Sequence, residues 1–249
     1  MLEIKNIHFS YGKSKVLSDL SVSFEKGKFI AVTGPNGSGK STLLKTALNI
    51  NKAEKGDIIL NGTSLLSHKR QEISQNISYL SQGRNTPDMT VYQMVLHGRF
   101  PYLKYPRKYS ETDRKTALSA MKETGVLHLK DSPLANLSGG MRQRAYLAMI
   151  LCQDTDYIFL DEPTTYLDIT YGIELMRLLK NLTEKGKCVV AVMHDLPLAF
   201  NFCDEIVVMD EGRILYKDIQ SKLYSKDIIK NVFSVGLCRS DEGKYYYDI

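Results

Sequence analysis

The chain has 249 residues, of which 43% are hydrophobic and 24% charged, a composition typical of a folded globular protein with a sizeable core. The formal net charge of +5 comes from 33 basic and 28 acidic residues spread along the chain, an excess too small to indicate a nucleic-acid partner. The longest apolar runs, such as YIFL and CVVAVM, are strand-length, which excludes a membrane-spanning helix of about 20 apolar residues.

The N-terminal segment does not indicate secretion, and the cysteines do not indicate metal binding. The N-terminal MLEIKNIHFSYG has no basic region followed by an apolar block, so we expect no secretory signal and a cytoplasmic protein. Cys152, Cys188, Cys203 and Cys238 lie far apart without a CxxC pair, which favours buried thiols over a zinc site or disulfides. The basic stretch YLKYPRKYS at 102–110 has no accompanying RNA- or lipid-binding motif, which favours a solvated loop.

The first half of the chain begins with strands and a strand–loop–helix unit. The first 30 residues alternate apolar and polar side chains around SVSF, with a turn signal at Lys26 and Gly27, and predict antiparallel strands. KFIAV then runs into a glycine-rich loop, and STLLKTALNI follows with its leucines at helical spacing. GDIILNG and ISYLSQ are predicted as further strands.

The stretch from about 83 to 150 is predicted to be mostly helical. Thr90 stands three positions before Gln93 at the start of TVYQMVLHG, which is the spacing of a capping box. Ser110 and Asp113 give the same signal for the next helix.

The second half of the chain alternates strands and helices. From YIFLDEP onward, short apolar strands are followed by helices such as YGIELMRLLKNLTEKG, the pattern of a parallel sheet. The sequence therefore predicts one α/β domain over 1–249. Its core, 1–82 and 151–249, is divided by a helical subdomain at 83–150.

The glycine-rich loop matches a phosphate-binding motif. GPNGSGKS satisfies G-x-x-x-x-G-K-[ST] between a predicted strand and a predicted helix. The glycines let backbone amides turn toward phosphates, Lys40 would reach the β- and γ-phosphates, and Ser41 offers its hydroxyl to Mg²⁺. The helix N-terminus adds its positive end. The predicted nucleotide-binding residues of this loop are Gly34, Pro35, Asn36, Gly37, Ser38, Gly39, Lys40, Ser41 and Thr42.

Two carboxylates end the apolar strand YIFLDEP. Asp161 is predicted to complete the Mg²⁺ shell, as a strand-end aspartate does in nucleotidases of this type. Glu162 is then placed to orient or deprotonate the attacking water. A solvated loop is the alternative, but a buried strand would carry both acids to the sheet edge where open α/β sheets bind ligands.

LSGGMRQRA, between the phosphate loop and FLDEPTTYLD, resembles the ATPase subunits of ATP-binding cassette (ABC) transporters, and the resemblance covers nearly the whole chain. It implies a P-loop NTPase core with a mostly parallel sheet, an antiparallel β subdomain and an inserted helical subdomain. ATP and Mg²⁺ are the implied ligands.

The resemblance also implies roles for residues outside the loop. Tyr11 would stack on adenine, Gln82 would contact Mg²⁺ and the membrane partner, and His194 would touch the γ-phosphate. Asp168 would lie in the loop after the second carboxylate, which is called the D-loop in this family. The implied catalytic residues are Glu162, His194 and Gln82, and the implied Mg²⁺ ligands are Ser41, Gln82 and Asp161. The remaining histidines, His8, His68, His97 and His128, have no metal-ligand spacing and are expected to be structural.

The resemblance implies that LSGGMRQRA, the signature motif of the family, provides a second anion site. In the family two subunits pair head to tail, and the amides of Ser138, Gly139 and Gly140 in one subunit bind the γ-phosphate held by the other. We expect such a pair to be a homodimer. The family usually has Gln where this chain has Met141, so a reciprocal capping box is lost and we expect a weaker helix start with an intact anion site.

Several segments resemble ATPases of metal-chelate importers: LHGRFPY, EPTTYLDI, HDLPLAF and DIIKNVFSV. The resemblance implies uptake of an iron-siderophore, with haem and cobalamin as alternatives. The partners would be a polytopic permease and, indirectly, an extracytoplasmic binding protein, with the ATPase on the inner face of the membrane. The alternative function is a soluble ABC-type ATPase that acts as a clamp or an iron–sulfur assembly factor.

Overall fold

The computed structural model describes residues 1–83, 86–165, 167–225 and 228–248. The chain divides into two compact units, which we call the first unit (1–68 with 173–249) and the second unit (69–172). In chain order the strands and helices are β1 (Leu2–Tyr11), β2 (Ser14–Phe24), β3 (Phe29–Thr33), α1 (Lys40–Ala47), β4 (Lys55–Leu60), β5 (Thr63–Ser64), α2 (Arg70–Asn76), β6 (Ile77–Leu80), α3 (Val91–His97), α4 (Glu111–Glu123), α5 (Gly139–Gln153), β7 (Tyr157–Asp161), α6 (Ile169–Glu184), β8 (Cys188–Val192), α7 (Leu196–Phe202), β9 (Glu205–Asp210), β10 (Arg213–Asp218), α8 (Gln220–Ser225), α9 (Ile228–Phe233), β11 (Leu237–Arg239) and β12 (Tyr245–Tyr247).

The N-terminal strands of the first unit form an antiparallel sheet in the order β2-β1-β4-β5. Leu2 and Ile4 of β1 lie opposite Phe24 and Val22 of β2, and all four side chains are buried. The alternation of apolar and polar residues therefore corresponds to one face turned toward the core. The predicted antiparallel β region is confirmed.

The remainder of the first unit is organised around β3, whose five residues are all buried. β3 pairs in parallel with β8 and with β9, so that Ala31 lies opposite both Ala191 and Ile206. β10 pairs antiparallel with β9. Strands buried on both faces are typical of parallel sheets and appear in the sequence as continuous apolar runs. The predicted α/β class is confirmed, and the phosphate loop begins where β3 ends.

The second unit contains the parallel pair β6 and β7 together with α3, α4 and α5, which pack on one another. Both predicted capping boxes are present. The Thr90 hydroxyl accepts from the Gln93 amide at 3.3 Å, and the Ser110 hydroxyl accepts from the Asp113 amide at 3.1 Å. The predicted helical region is confirmed.

The subdomain limits at 83 and 150 stay a prediction, because the compact second unit also includes α2, β6 and β7. The sequence pattern did not predict α2. Ile73 is its one buried side chain, so no apolar periodicity marks it. Its position depends instead on Gln71 and Gln75, which both donate to the carbonyl oxygen of Pro101.

Three of the four cysteines are buried, as expected. Burial raises the pKa of Cys152 and of Cys188 to about 12, so both stay protonated thiols. Cys203 is also buried, whereas Cys238 in β11 is half-buried and departs from the expectation. In the parts of the chain that the structure describes, no helix combines the length and apolar character needed to cross a membrane.

An ion pair connects α4 to the segment after α3 in the second unit. Arg99 Nε lies 2.9 Å from Asp113 Oδ1, and the side chains are 15% and 12% exposed. Asp113 Oδ2 accepts from both the amide and the hydroxyl of Ser110. Burial alone raises the pKa of Asp113, but the hydrogen bonds from Ser110 and Arg99 outweigh burial and hold that pKa below its ordinary value.

We expect Asp113→Asn to lower the free energy of unfolding at neutral pH by roughly 1.5–3 kcal/mol, the usual value of a hydrogen bond to a charged group. Because the folded-state pKa is depressed, this contribution is complete above the unfolded-state pKa of about 3.9 and is lost as pH falls through the folded value. Urea denaturation should therefore show a constant difference between the two proteins from neutral pH to about pH 5.5, and a smaller difference at about pH 3.5.

Asp131→Asn is the matched control for this prediction. The Asp131 side chain is 87% exposed, and its carboxylate lies 3.9 Å from Lys130 Nζ. An exposed pair of this kind contributes little, so the control should unfold like wild type at every pH. If Asp113→Asn matched the control at neutral pH, the Arg99 pair would not stabilise the second unit.

Candidate functional site

The phosphate loop passes close to β9 at its first glycine. Gly34 has a φ of 156°, and a Cβ at this position would lie 2.1 Å from the carbonyl oxygen of Met209. Any larger residue would clash with that backbone. Gly39, the N-cap of α1, has a φ of 96° in the left-handed region. These two glycines let the loop turn tightly into the helix, as the motif predicts.

Lys40 places a buried positive charge inside the loop. It is the first residue of α1 and is 6% exposed. Its ammonium donates to the carbonyl oxygens of Gly34 at 2.9 Å and Pro35 at 2.8 Å. The positive end of α1 adds to this charge, and Gly39 supplies no side chain to cap it. A buried cation and a helix N-terminus at one loop fit a phosphate group.

The other loop residues differ in exposure. Asn36 and Gly37 are exposed, Ser38 and Thr42 are buried, and Ser41 is half-buried in the first turn of α1. The loop backbone is held by neighbours in the first unit, since the Gly212 amide donates to the Ser38 carbonyl oxygen at 3.1 Å. A residue distant in sequence therefore helps to hold the backbone of the phosphate loop.

Tyr11, at the end of β1, is oriented by two neighbours. The Phe9 ring meets it edge-on, with centroids 4.8 Å apart and planes at 90°. Asn51 Nδ2 donates to the Tyr11 hydroxyl at 3.0 Å. The Tyr11 residue remains 52% exposed, which fits the predicted stacking on adenine. Sequence reasoning missed Asn51, because its contact joins positions 40 apart.

His194 is exposed on the segment between β8 and α7. Met193, before it, donates its amide to the Val32 carbonyl oxygen at 3.0 Å. Asp195, after it, caps α7 by accepting from the Leu198 amide at 2.9 Å. His194 thus stands between two anchored neighbours in the same unit as the phosphate loop. Its contact with a γ-phosphate stays a prediction.

The strand β7 ends in the two predicted carboxylates. Asp161 is 2% exposed and accepts from the Tyr79 hydroxyl at 3.2 Å. Glu162 has a φ of 52°, which is rare for a non-glycine residue and turns it out of the strand. Gln82 Nε2 donates to Glu162 Oε2 at 2.6 Å, and the Thr165 hydroxyl donates to the same oxygen at 3.2 Å. The structure therefore brings the predicted catalytic pair Gln82 and Glu162 into contact.

The signature motif begins α5 with a one-sided cap. The Ser138 hydroxyl accepts from the Met141 amide at 3.3 Å, and Met141 has no polar group with which to return the bond. Gly140 lies against the segment that leads to the D-loop, since a Cβ there would be 3.7 Å from Leu167 Cδ2. Asp168 itself caps the first turn of α6.

A buried hydrogen bond connects the signature helix to the carboxylates. Gln143 Nε2 in α5 donates to the carbonyl oxygen of Pro163 at 2.8 Å, and Gln143 is 9% exposed. Pro163 directly follows Glu162. The helix that begins at Gly139 is therefore bonded to the segment that follows the predicted base, a link that no sequence motif predicts.

The residue types present fit the ligands that the resemblance implies. Among the described residues, no group of three or more His, Cys, Asp or Glu side chains forms a metal cluster. The implied Mg²⁺ ligands are instead the Ser41 hydroxyl, the Gln82 amide oxygen and the Asp161 carboxylate, all hard oxygen donors of the kind that Mg²⁺ prefers. Asp161 is 2% exposed, and a bound cation would offset the cost of burying its carboxylate.

We expect Asn51→Ala to weaken ATP binding without weakening the binding of tripolyphosphate, which has no base. Removal of the Asn51 amide frees the Tyr11 ring, and base–aromatic stacking is worth about 1–3 kcal/mol per base. Isothermal titration calorimetry with both ligands should show an ATP affinity reduced by about two- to tenfold for this indirect effect.

Tyr11→Phe is the matched variant, because it keeps the ring and removes the hydroxyl that Asn51 holds. It should reproduce the Asn51→Ala effect, and the double variant should be no weaker than either single one. Equal losses for ATP and tripolyphosphate would contradict an adenine-specific role.

Comparison with known proteins agrees with this geometry. The profile of the ABC transporter family matches residues 17–165. The petrobactin import ATP-binding protein FpuD of Bacillus anthracis is 38% identical over 93% of this chain and 86% of its own. The ferric enterobactin transport ATP-binding protein FepC of Escherichia coli (strain K12) is 36% identical over 93% of this chain and 86% of its own.

Solved structures show the same fold. The dimeric structure of the bacterial ABC transporter cassette MJ0796 superposes with a TM-score of 0.79 at 28% identity, over 88% of this chain and 99% of that one. A family profile that covers the phosphate loop, the signature motif and the carboxylates accounts for ATP binding. The chain belongs to the ABC transporter family and is an ATP-hydrolysing subunit of an ABC importer.

Proposed function

We propose that this ATPase powers the uptake of an iron-siderophore through a membrane permease. The observation that carries the proposal is the similarity to FpuD and FepC, whose names give petrobactin and ferric enterobactin as the transported compounds. Haem and cobalamin are the alternative chelates. The same relatives favour an importer over a soluble clamp or assembly factor. An importer ATPase of this kind works on the inner face of the membrane, docked on its permease.

Nucleotide binding begins at the phosphate loop. The Lys40 ammonium, now bonded to the carbonyl oxygens of Gly34 and Pro35, is the group that turns to the β- and γ-phosphates. Tyr11 holds the base, with its ring fixed by Phe9 and Asn51. Ser41, Gln82 and Asp161 are the residues that would hold Mg²⁺, which would neutralise phosphate charge.

Glu162 is the proposed general base for hydrolysis. Gln82 and Thr165 both donate to its Oε2, and two donors on one oxygen fix the orientation of the carboxylate. The carboxylate accepts a proton from the attacking water as the water oxygen bonds to the γ-phosphorus, and the bond from that phosphorus to the β,γ-bridging oxygen breaks so that ADP leaves. His194 contacts the γ-phosphate and holds it in line.

The signature motif completes the site of a second subunit. Ser138 caps α5 through the Met141 amide, and a helix N-terminus with free first-turn amides is suited to bind an anion. We propose a head-to-tail homodimer in which the amides of Ser138, Gly139 and Gly140 of one chain bind the γ-phosphate held by the other. Asp168 would lie near this shared site. MJ0796, which has the same fold, forms a dimer.

Two substitutions should separate binding from hydrolysis. We expect Glu162→Gln to bind ATP like wild type while its hydrolysis rate falls by about 10²- to 10⁴-fold, because an amide takes no proton from water. Lys40→Ala should instead lose about 10- to 150-fold in ATP affinity, because a charged hydrogen-bond donor is removed. Equilibrium binding and phosphate release on the same preparations distinguish the two effects.

The same Glu162→Gln change tests the transported compound in cells. Substituted into the native gene, it should stop the uptake of radioactive iron supplied as a ferric siderophore. Glu242→Gln, at an exposed turn, is the matched control and should leave uptake unchanged. If siderophore uptake continued while haem or cobalamin uptake stopped, the proposed substrate would be wrong and the ATPase assignment would stand.

A further inference from the structure

The C-terminal hairpin of β11 and β12 is docked on α7, the helix that follows His194. Its strands pair Leu237 with Tyr247 and Arg239 with Tyr245. No sequence motif predicts this hairpin, and none of the proposed catalytic residues lies in it. Outside the hairpin itself, β12 contacts mainly this one short helix.

The attachment is specific as well as apolar. Asn201 of α7 bonds the main chain of Tyr245 in both directions: Nδ2 donates to the carbonyl oxygen at 2.8 Å, and Oδ1 accepts from the amide at 3.0 Å. The Tyr245 residue is 8% exposed and its ring packs edge-on against Phe200 and Tyr224, with centroids 5.1 and 5.5 Å away. This double amide contact fixes the register of β12 on the helix.

That register places a hydroxyl at the start of α7. The Tyr247 hydroxyl accepts a hydrogen bond from the Leu196 amide at 3.3 Å. Leu196 is the first residue of α7, is 3% exposed, and stands two positions after His194. First-turn amides have no partner within their own helix, so this outside acceptor adds a hydrogen bond to the turn. Tyr247 is 38% exposed, and partial burial raises its pKa above the ordinary value, so the group is a neutral hydroxyl at physiological pH, as any ordinary tyrosine is.

The segment that presents His194 is therefore held at both ends. Before it, the Met193 amide donates to Val32 in β3, the strand that leads into the phosphate loop. After it, the Leu196 amide is held by Tyr247, next to the Asp195 cap of α7. The first anchor is part of the sheet, whereas the Tyr247 bond depends on the hairpin. Loss of the Tyr247 bond would let the turn that carries His194 shift.

We propose that Tyr247 is a positioning residue for ATP hydrolysis, which acts by fixing the β8–α7 turn that presents His194. The inference rests on the role of His194 in the proposed function. Tyr247 acts through the main chain of Leu196. Small displacements of a group at the reacting phosphate slow the chemical step more than they weaken the binding of the whole nucleotide.

The test uses Tyr247→Phe in the full chain, which keeps the packed ring and removes the hydroxyl. We expect kcat for ATP hydrolysis to fall by about three- to tenfold, with KM for ATP unchanged. Tyr246→Phe, at the neighbouring position of β12, is the matched control and should hydrolyse ATP like wild type. In NMR spectra, the imidazole resonances of His194 should move in Tyr247→Phe and stay in place in the control.

A double-mutant cycle separates positioning from mere stabilisation. His194→Ala should lower kcat on its own, and adding Tyr247→Phe should lower it no further, because the positioned group is already gone. If the two losses multiplied, or if Tyr247→Phe kept wild-type kcat and lowered the melting temperature alone, Tyr247 would be structural and the inference overturned. If His194→Ala hydrolysed ATP like wild type, the proposed role of His194 would itself be wrong, and the inference with it.

Discussion

The buried ammonium of Lys40 is the interaction on which the rest of the nucleotide site depends. It is 6% exposed and bonded to the loop's own carbonyl oxygens, so the site holds a positive charge that is already desolvated and oriented. Burial of a charge is costly unless it is hydrogen-bonded, and the two carbonyl oxygens of the loop supply those bonds. The surrounding strands supply the rigid backbone that this charge requires.

In the second unit, several hydrogen bonds fix the orientation of the Glu162 carboxylate. Glu162 leaves β7 with a positive φ and is bonded by Gln82 and Thr165. Gln143 ties the signature helix to the next residue, Pro163. The helix that begins at the signature motif is therefore bonded to the residue that follows the proposed base.

Features that depend on neighbouring residues were predictable from the sequence. The phosphate loop and the capping boxes at Thr90 and Ser110 are short motifs with a local mechanism, and the structure has the loop and both boxes where the spacing predicts them. Features that join distant residues were not predictable. The Asn51–Tyr11 and Tyr247–Leu196 contacts span 40 and 51 positions, and both arise from the packing of whole elements. The proposed roles of Lys40, Ser41, Asp161 and Glu162 follow from such motifs, whereas those of Tyr11, Gln82, Asp168 and His194 come from the family resemblance.

In the proposed homodimer, each ATP is held by the phosphate loop of one chain and by the backbone amides of the signature motif of the other. The most direct measurement mixes two inactive proteins, Ser138→Arg and Lys40→Ala, and follows phosphate release. A mixed dimer has one site with both defects and one with neither, so the mixture should regain activity that both parents lack. Removal of one preorganised donor typically costs about 10²–10³ in rate, so any recovery is easily measured. Activity that stayed at the level of the parents, in mixed dimers shown to assemble, would contradict independent sites shared between two chains.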